Sequence, residues 1–66
     1  MRFSYNKLWK LLIDRDMSKK ELAEKSNISP TSLSKLRKGA NVNTEILLKI
    51  CIALESDISE ILEIVK

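Results

Sequence analysis

The side chains of this chain with chemistry to offer are its cations. Residues 1–43 carry ten Lys and Arg against four Asp and Glu, whereas residues 44–66 carry two against five. A basic front and an acidic back suggest one face aimed at a polyanion. The acids offer less. Asp14/Asp16 and Glu60/Glu63 are paired, but no basic or metal-binding partner accompanies them, so general acid–base catalysis lacks its second group. There is no His, which removes Ser–His and Cys–His nucleophile pairs and imidazole metal ligation. The one Cys excludes an internal disulfide and a thiolate zinc cage, and the one Gly excludes the usual glycine-rich phosphate loops. The reading is of a non-enzyme with no cofactor, no metal and no small-molecule ligand.

Sixty-six residues make one small domain, 1–66. Its longest apolar run, Ile50-Cys51-Ile52-Ala53-Leu54, falls far short of the roughly 20 residues a membrane span needs. No apolar stretch of signal-peptide length follows the N-terminus. The chain therefore reads as complete and cytoplasmic, and a single unpaired Cys suits a reducing compartment. A core of this size supplies only about 3–5 kcal/mol net, so well-capped helices or a partner subunit would help it stay folded.

The pattern is helical throughout. Asn6 is placed to cap a first helix whose stripe is Leu8, Leu11 and Leu12, widened by Trp9 and Ile13, and which ends at Asp14-Arg15-Asp16. Ser18-Lys19-Lys20-Glu21 is a capping box, with Met17 as hydrophobic staple, opening a short helix Lys19–Lys25 with Leu22 and Ala23 inward. Ser26-Asn27-Ile28 breaks the pattern. Ser29 as cap and Pro30 at the first helical position restart it, Leu33 and Leu36 point inward, and Gly39 terminates it. Asn43 caps a fourth helix with Ile46, Leu47, Ile50, Cys51 and Leu54 on its stripe. Asp57-Ile58-Ser59-Glu60 resembles a second capping box and opens a last helix with Ile58, Ile61, Leu62 and Val65 at i, i+3, i+4 and i+7. The expectation is an all-α domain of five short helices packed at steep angles, with no strand.

Two capped helices joined by a three-residue turn form a helix-turn-helix over about residues 18–38. In such a unit the second helix enters the DNA major groove and its N-terminal residues meet base edges. Ser18-Lys19-Lys20-Glu21-Leu22-Ala23-Glu24-Lys25-Ser26-Asn27-Ile28-Ser29, continued by Ser32-Leu33-Ser34-Lys35-Leu36-Arg37-Lys38-Gly39, resembles the phage-repressor/Cro-type (Xre-like) helix-turn-helix family. The stretch Asn41–Cys51 and the segment from Ala53-Leu54 to Asp57-Ile58 resemble that family's fourth helix and its approach to the fifth. The likeness runs from about Leu8 to Ile64 and is nearest to small stand-alone members. It implies a compact five-helix, lambda-repressor-like fold, and double-stranded DNA as the partner.

The resemblance also implies contacts. Lys19, just inside the cap of helix two, corresponds to a residue that meets phosphate or an outer base. Pro30, Thr31 and Ser34 fall on base-reading positions, with Lys35 one turn on, and Lys38 and Asn41 on backbone-contacting ones. Two departures follow. Pro30 has no donor where many members carry a long polar residue, and Thr31, Ser32 and Ser34 are too short for bidentate base pairing. Readout then rests on single hydrogen bonds, thymine-methyl contacts and DNA shape. Leu12 and Arg37 stand where many members pair an Arg with a Glu, which leaves Arg37 free for a phosphate.

The last helix carries one apolar residue off its stripe, Ile64. With Ile61 and Val65 it is the expected two-fold dimer contact, a reading the resemblance strengthens. Trp9 reads as core, Cys51 as an inert buried thiol, and Lys7, Lys10 and Lys25 as solubility charges. The function expected is that of a sequence-specific DNA-binding transcriptional regulator with its recognition helix at about Pro30–Lys38. The alternative is a protein-interaction module, antitoxin-like or a repurposed helix-turn-helix.

Overall fold

The computed structural model describes the whole chain, Met1–Lys66. Strand β1 (Arg2–Ser4) leads into helices α1 (Asn6–Asp14), α2 (Lys19–Ser26), α3 (Pro30–Lys38) and α4 (Thr44–Leu54). A single 3₁₀ turn, Ile58–Glu60, and strand β2 (Glu63–Val65) complete it.

Local chemistry accounts for most of the boundaries. The Ser18–Glu21 capping box forms in both directions, with the Glu21 amide donating to Ser18 Oγ at 3.1 Å and the Ser18 amide to Glu21 Oε1 at 3.3 Å. Ser29 Oγ accepts from the Ser32 amide at 3.2 Å, with Pro30 in the first turn, and Asn43 Oδ1 accepts from the Ile46 amide at 3.0 Å. The helices stop where a residue turns left-handed: Asn27 (φ 57°) after α2, Gly39 (φ 76°) after α3 and Glu55 (φ 52°) after α4. Helix α2 runs one residue past Lys25. Ser26 is buried, and its hydroxyl satisfies itself on the Leu22 carbonyl one turn back.

Asn6 does not cap α1. It is the first helical residue; Tyr5 holds the cap position, and the Asn6 amide donates to Ser4 Oγ at 3.3 Å. Tyr5 belongs there because its ring is buried and its hydroxyl donates to the Ala40 carbonyl at 2.9 Å, tying the start of α1 to the loop after α3. Arg15, expected only to end α1 in polar company, reaches across to the end of α4. Its guanidinium donates to the Leu54 carbonyl and to Ser56 Oγ, placing a cation where the helix dipole is negative.

The expected fifth helix is absent, and so is the expected lack of strands. After the 3₁₀ turn the chain extends, and β2 pairs antiparallel with β1, with Arg2 opposite Val65, Phe3 opposite Ile64 and Ser4 opposite Glu63. The reason is a partner the local pattern does not contain. Residues 58–65 are too few to hold a helix unaided and are rich in β-branched Ile and Val. An unpaired N-terminal segment sixty residues earlier in sequence supplies the other half of a ladder.

The core is Tyr5, Leu8, Leu12, Leu22, Ile28, Leu36, Ile50, Leu54 and Ile61. Trp9 is half-buried at its edge, whereas Leu33, expected in the core, is half-buried in a depression beside Ala23, Ile28 and Pro30 and does not join it. Ile13 points outward, 77 % exposed, and does not widen the α1 stripe.

Burial pushes the Tyr5 hydroxyl above its ordinary value of 10.0. The fold thus favours the protonated phenol. The stability from this group is complete below pH 10 and is lost as pH rises through the raised value. Replacing Tyr5 with Phe should destabilise the domain at neutral pH by about 0.5–1.5 kcal/mol. Thermal melts between pH 8 and 11 should also show a shallower alkaline loss for the variant than for the parent chain. Equal slopes would mean the phenol does not couple to folding.

Candidate nucleic-acid interface

Helix α3 is divided lengthwise. Leu36 is fully buried and Leu33 half-buried on one side. Thr31, Ser34, Lys35 and Lys38 recur at i, i+3, i+4 and i+7 and so occupy the opposite side. The chain folds this way because the apolar positions of α3 must meet the core. Its polar stripe is then turned to solvent, with Thr31, Lys35 and Lys38 exposed and Ser34 half-buried. No acid lies in α3, and Lys35, Arg37 and Lys38 cluster in its last turn.

These cations are unneutralised. Glu45–Lys49, an exposed i,i+4 pair at 3.9 Å, is the molecule's ion pair, and no carboxylate comes within that range of Lys19, Lys35, Arg37 or Lys38. Lys19, Ser34, Arg37 and Lys38 together line a polar concavity of about 420 Å³ with no apolar residue in its wall. The helix-turn-helix geometry therefore brings the N-terminus of α2 beside the middle and end of α3. Lys19 is further fixed: its ammonium sits 4.5 Å from the centroid of the Trp9 ring, a cation–π contact. Trp9 is thus a half-buried platform under a cation as well as an edge of the core.

The other expected contact residues are placed less uniformly. Thr31 and Lys35 are exposed on the stripe, and Asn41 is exposed in the loop beyond Gly39. Pro30 is exposed but lies on the α2 side, in a depression shared with Lys20, Glu24 and Asn27. Ser32 is half-buried and engaged in the α3 cap, its hydroxyl 3.1 Å from Ser29 Oγ. Leu12 is buried and Arg37 is exposed.

The expected dimer contact needs correction. Ile61 is fully buried in the chain's own core and cannot touch a partner. Ile64, 63 % exposed, and half-buried Val65 lie on β2 instead of a helix. Lys7 donates to the Ser59 carbonyl at 3.3 Å, so it ties α1 to the 3₁₀ turn. Cys51 is half-buried; burial, then the charges of Asp57 and Glu60, push its thiol up, which disfavours the reactive thiolate. Sequence reasoning missed Trp9 as a positioning group because a Trp on an apolar stripe carries no sign of which cation will cover it. It left Arg2 unassigned because nothing local marks residues 2–4 as a strand. No helix is long and apolar enough to cross a membrane.

The Cro/C1-type helix-turn-helix DNA-binding domain matches residues 7–66. Among solved structures, a crystal structure of the transcriptional regulator VanUg is similar with a TM-score of 0.91 and 53 % identity, covering 94 % of this chain and 83 % of that one. No curated protein matches. The match spans all four helices and the C-terminal segment, and the chain belongs to the Cro/C1-type helix-turn-helix family of DNA-binding domains.

Proposed function

We propose that this chain is a sequence-specific DNA-binding transcriptional regulator that reads the major groove with α3. The observation that carries the proposal is the acid-free stripe of Thr31, Ser34, Lys35 and Lys38, backed by Leu36 in the core and flanked by Lys19 and Arg37. Family membership and the likeness to a transcriptional regulator support the same reading. Thr31 and Ser34 meet base edges through single hydrogen bonds and methyl contacts, and Lys35 reaches a guanine edge or the backbone. Lys19, Arg37, Lys38 and Asn41 hold phosphates and set the register. Ser32 acts through the α3 cap, and Pro30 gives shape and apolar contact without a donor.

Short readers on one helix give weak discrimination, so the working form is a two-fold pair on half-sites about 34 Å apart. Phe3, Leu48 and Ile58 are exposed around an apolar groove of about 720 Å³, and Ile64 stands opposite Phe3 in the ribbon. A second copy covering this surface, with Ile64 at its edge, buries apolar side chains that one copy leaves in water, while Val65, opposite Arg2 in the ladder, falls on the other face of the ribbon.

Titration of a selected duplex at several salt concentrations separates the roles. Lys38→Ala should weaken binding to every sequence alike and flatten the slope of log K against log salt by about 0.9. Ser34→Ala should change the ranking of sites and leave that slope intact. Equal loss on all sites for Ser34→Ala removes its reading role. A salt-insensitive complex with another protein, without DNA binding, would favour an interaction module.

Ile64→Asp should shift sedimentation toward the monomer and lower affinity for a two-half-site duplex more than for a single half-site. A parent chain that sediments as a monomer on and off DNA would remove the pairing.

A further inference from the structure

The N-terminal strand joins the basic surface to a residue that the helix-turn-helix does not contain. Strand β1 is fixed at both ends: Tyr5 is buried in the core, and Arg2 lies opposite Val65 in the ladder. Phe3 and Tyr5 line both the apolar groove and a polar cleft of about 180 Å³ on the other flank, whereas Arg2 and Ser4 line the cleft alone. That cleft also takes in Asn6, Arg37, Lys38 and Gly39, the last being the C-terminal cap of α3. Arg37 and Lys38 line the Lys19 concavity as well. The two depressions therefore form one basic run from Lys19, through the end of α3, to Arg2.

No carboxylate lines either depression. The acid nearest in register, Glu63 opposite Ser4, lies on the far strand and makes no ion pair with Arg2. Arg2 is exposed, and its guanidinium carries a fork of donors suited to a phosphate. An arginine on a free tail would lose much of its effect to the entropy of ordering the chain. Pairing with β2 orders the segment before any ligand arrives.

We infer that Arg2 is a DNA-phosphate ligand, presented by the β1–β2 ribbon, and that it closes with Arg37 and Lys38 on one backbone phosphate beyond the C-terminal end of α3. The inference rests on the DNA-binding reading above. It extends the interface to the first residues of the chain and makes the last ones, which pair with them, supports for DNA affinity.

The test is fluorescence anisotropy with a selected duplex and with an unrelated duplex, each over a salt series. Arg2→Ala should weaken both complexes by about tenfold and reduce the salt slope by about 0.9. Arg2→Lys should restore the slope, because the charge returns. A chain ending at Leu62, checked for retained helix by circular dichroism, keeps Arg2 but loses its partner strand. It should lose most of the Arg2 contribution, and adding Arg2→Ala to it should then change little. If the parent chain binds DNA and Arg2→Ala leaves the slope unchanged, the inference fails alone. The same holds if Arg2→Ala lowers thermal stability and affinity together with an intact slope, since Arg2 would then only support the ribbon. If the parent chain binds neither duplex, the DNA-binding reading itself fails.

Discussion

No helix of this chain can persist alone in water. Isolated helices need about 12–15 residues even in favourable sequences, and the longest here, α4, has 11. What holds the molecule is the convergence of six fully buried side chains: Leu8 from α1, Leu22 from α2, Leu36 from α3, Ile50 and Leu54 from α4, and Ile61 from the segment after the 3₁₀ turn. Each helix donates one or two large residues, and among them α4 also carries an exposed apolar pair, Leu48 and Ile52, that the core leaves in water. The caps fix where each helix begins and ends, but they add only about 1 kcal/mol apiece. The shared contact decides whether the helices exist.

The site follows from that constraint. Leu36 must face inward, so Thr31, Ser34, Lys35 and Lys38 must face outward on a helix whose orientation the core has already set. The same packing puts the start of α2 beside α3 and so brings Lys19 to Ser34, Arg37 and Lys38. Positive charge accumulates there without compensation. Five of the nine acids, Glu45, Glu55, Asp57, Glu60 and Glu63, follow α3 in sequence, and Arg15 is diverted to the end of α4. Keeping the cations unpaired costs little in water, because exposed ion pairs contribute little to stability. It leaves them available for phosphate.

The two ends of the chain behave differently from the middle. Tyr5 links the N-terminal strand to the loop after α3 through the Ala40 carbonyl, and Lys7 links α1 to the 3₁₀ turn. These ties connect segments 35 and 52 residues apart in sequence. They position a ribbon that would be marginal as an isolated hairpin, since two short strands seldom suffice. The ribbon in turn stands between an apolar groove and a polar cleft, with Phe3 bordering both and Arg2 the cleft alone.

Read as a string, the residues already determined four helices, the N-caps of three of them and the helix-turn-helix; the cap of α1 was read as Asn6 and is Tyr5. Ser18 with Glu21, Ser29 with Pro30, Gly39 and Asn43 act on neighbours three or four positions away, and such interactions are written locally. The identity of the outward residues of α3 was legible for the same reason, since Leu33 and Leu36 define the inner face by helical period. The last segment was not. Ile58, Ile61, Leu62 and Val65 satisfy a helical spacing, but eight residues cannot distinguish that period from a turn followed by a strand. The choice fell to Arg2–Ser4, a ladder partner at the other end of the chain. Ile61 went to the core and Ile64 to the surface by that pairing, which undid the dimer contact drawn on a helix. The cation over Trp9, the Arg15 bond to α4 and the place of Arg2 beside Lys38 likewise depend on which distant elements the core brings together. Only the tertiary structure decided them.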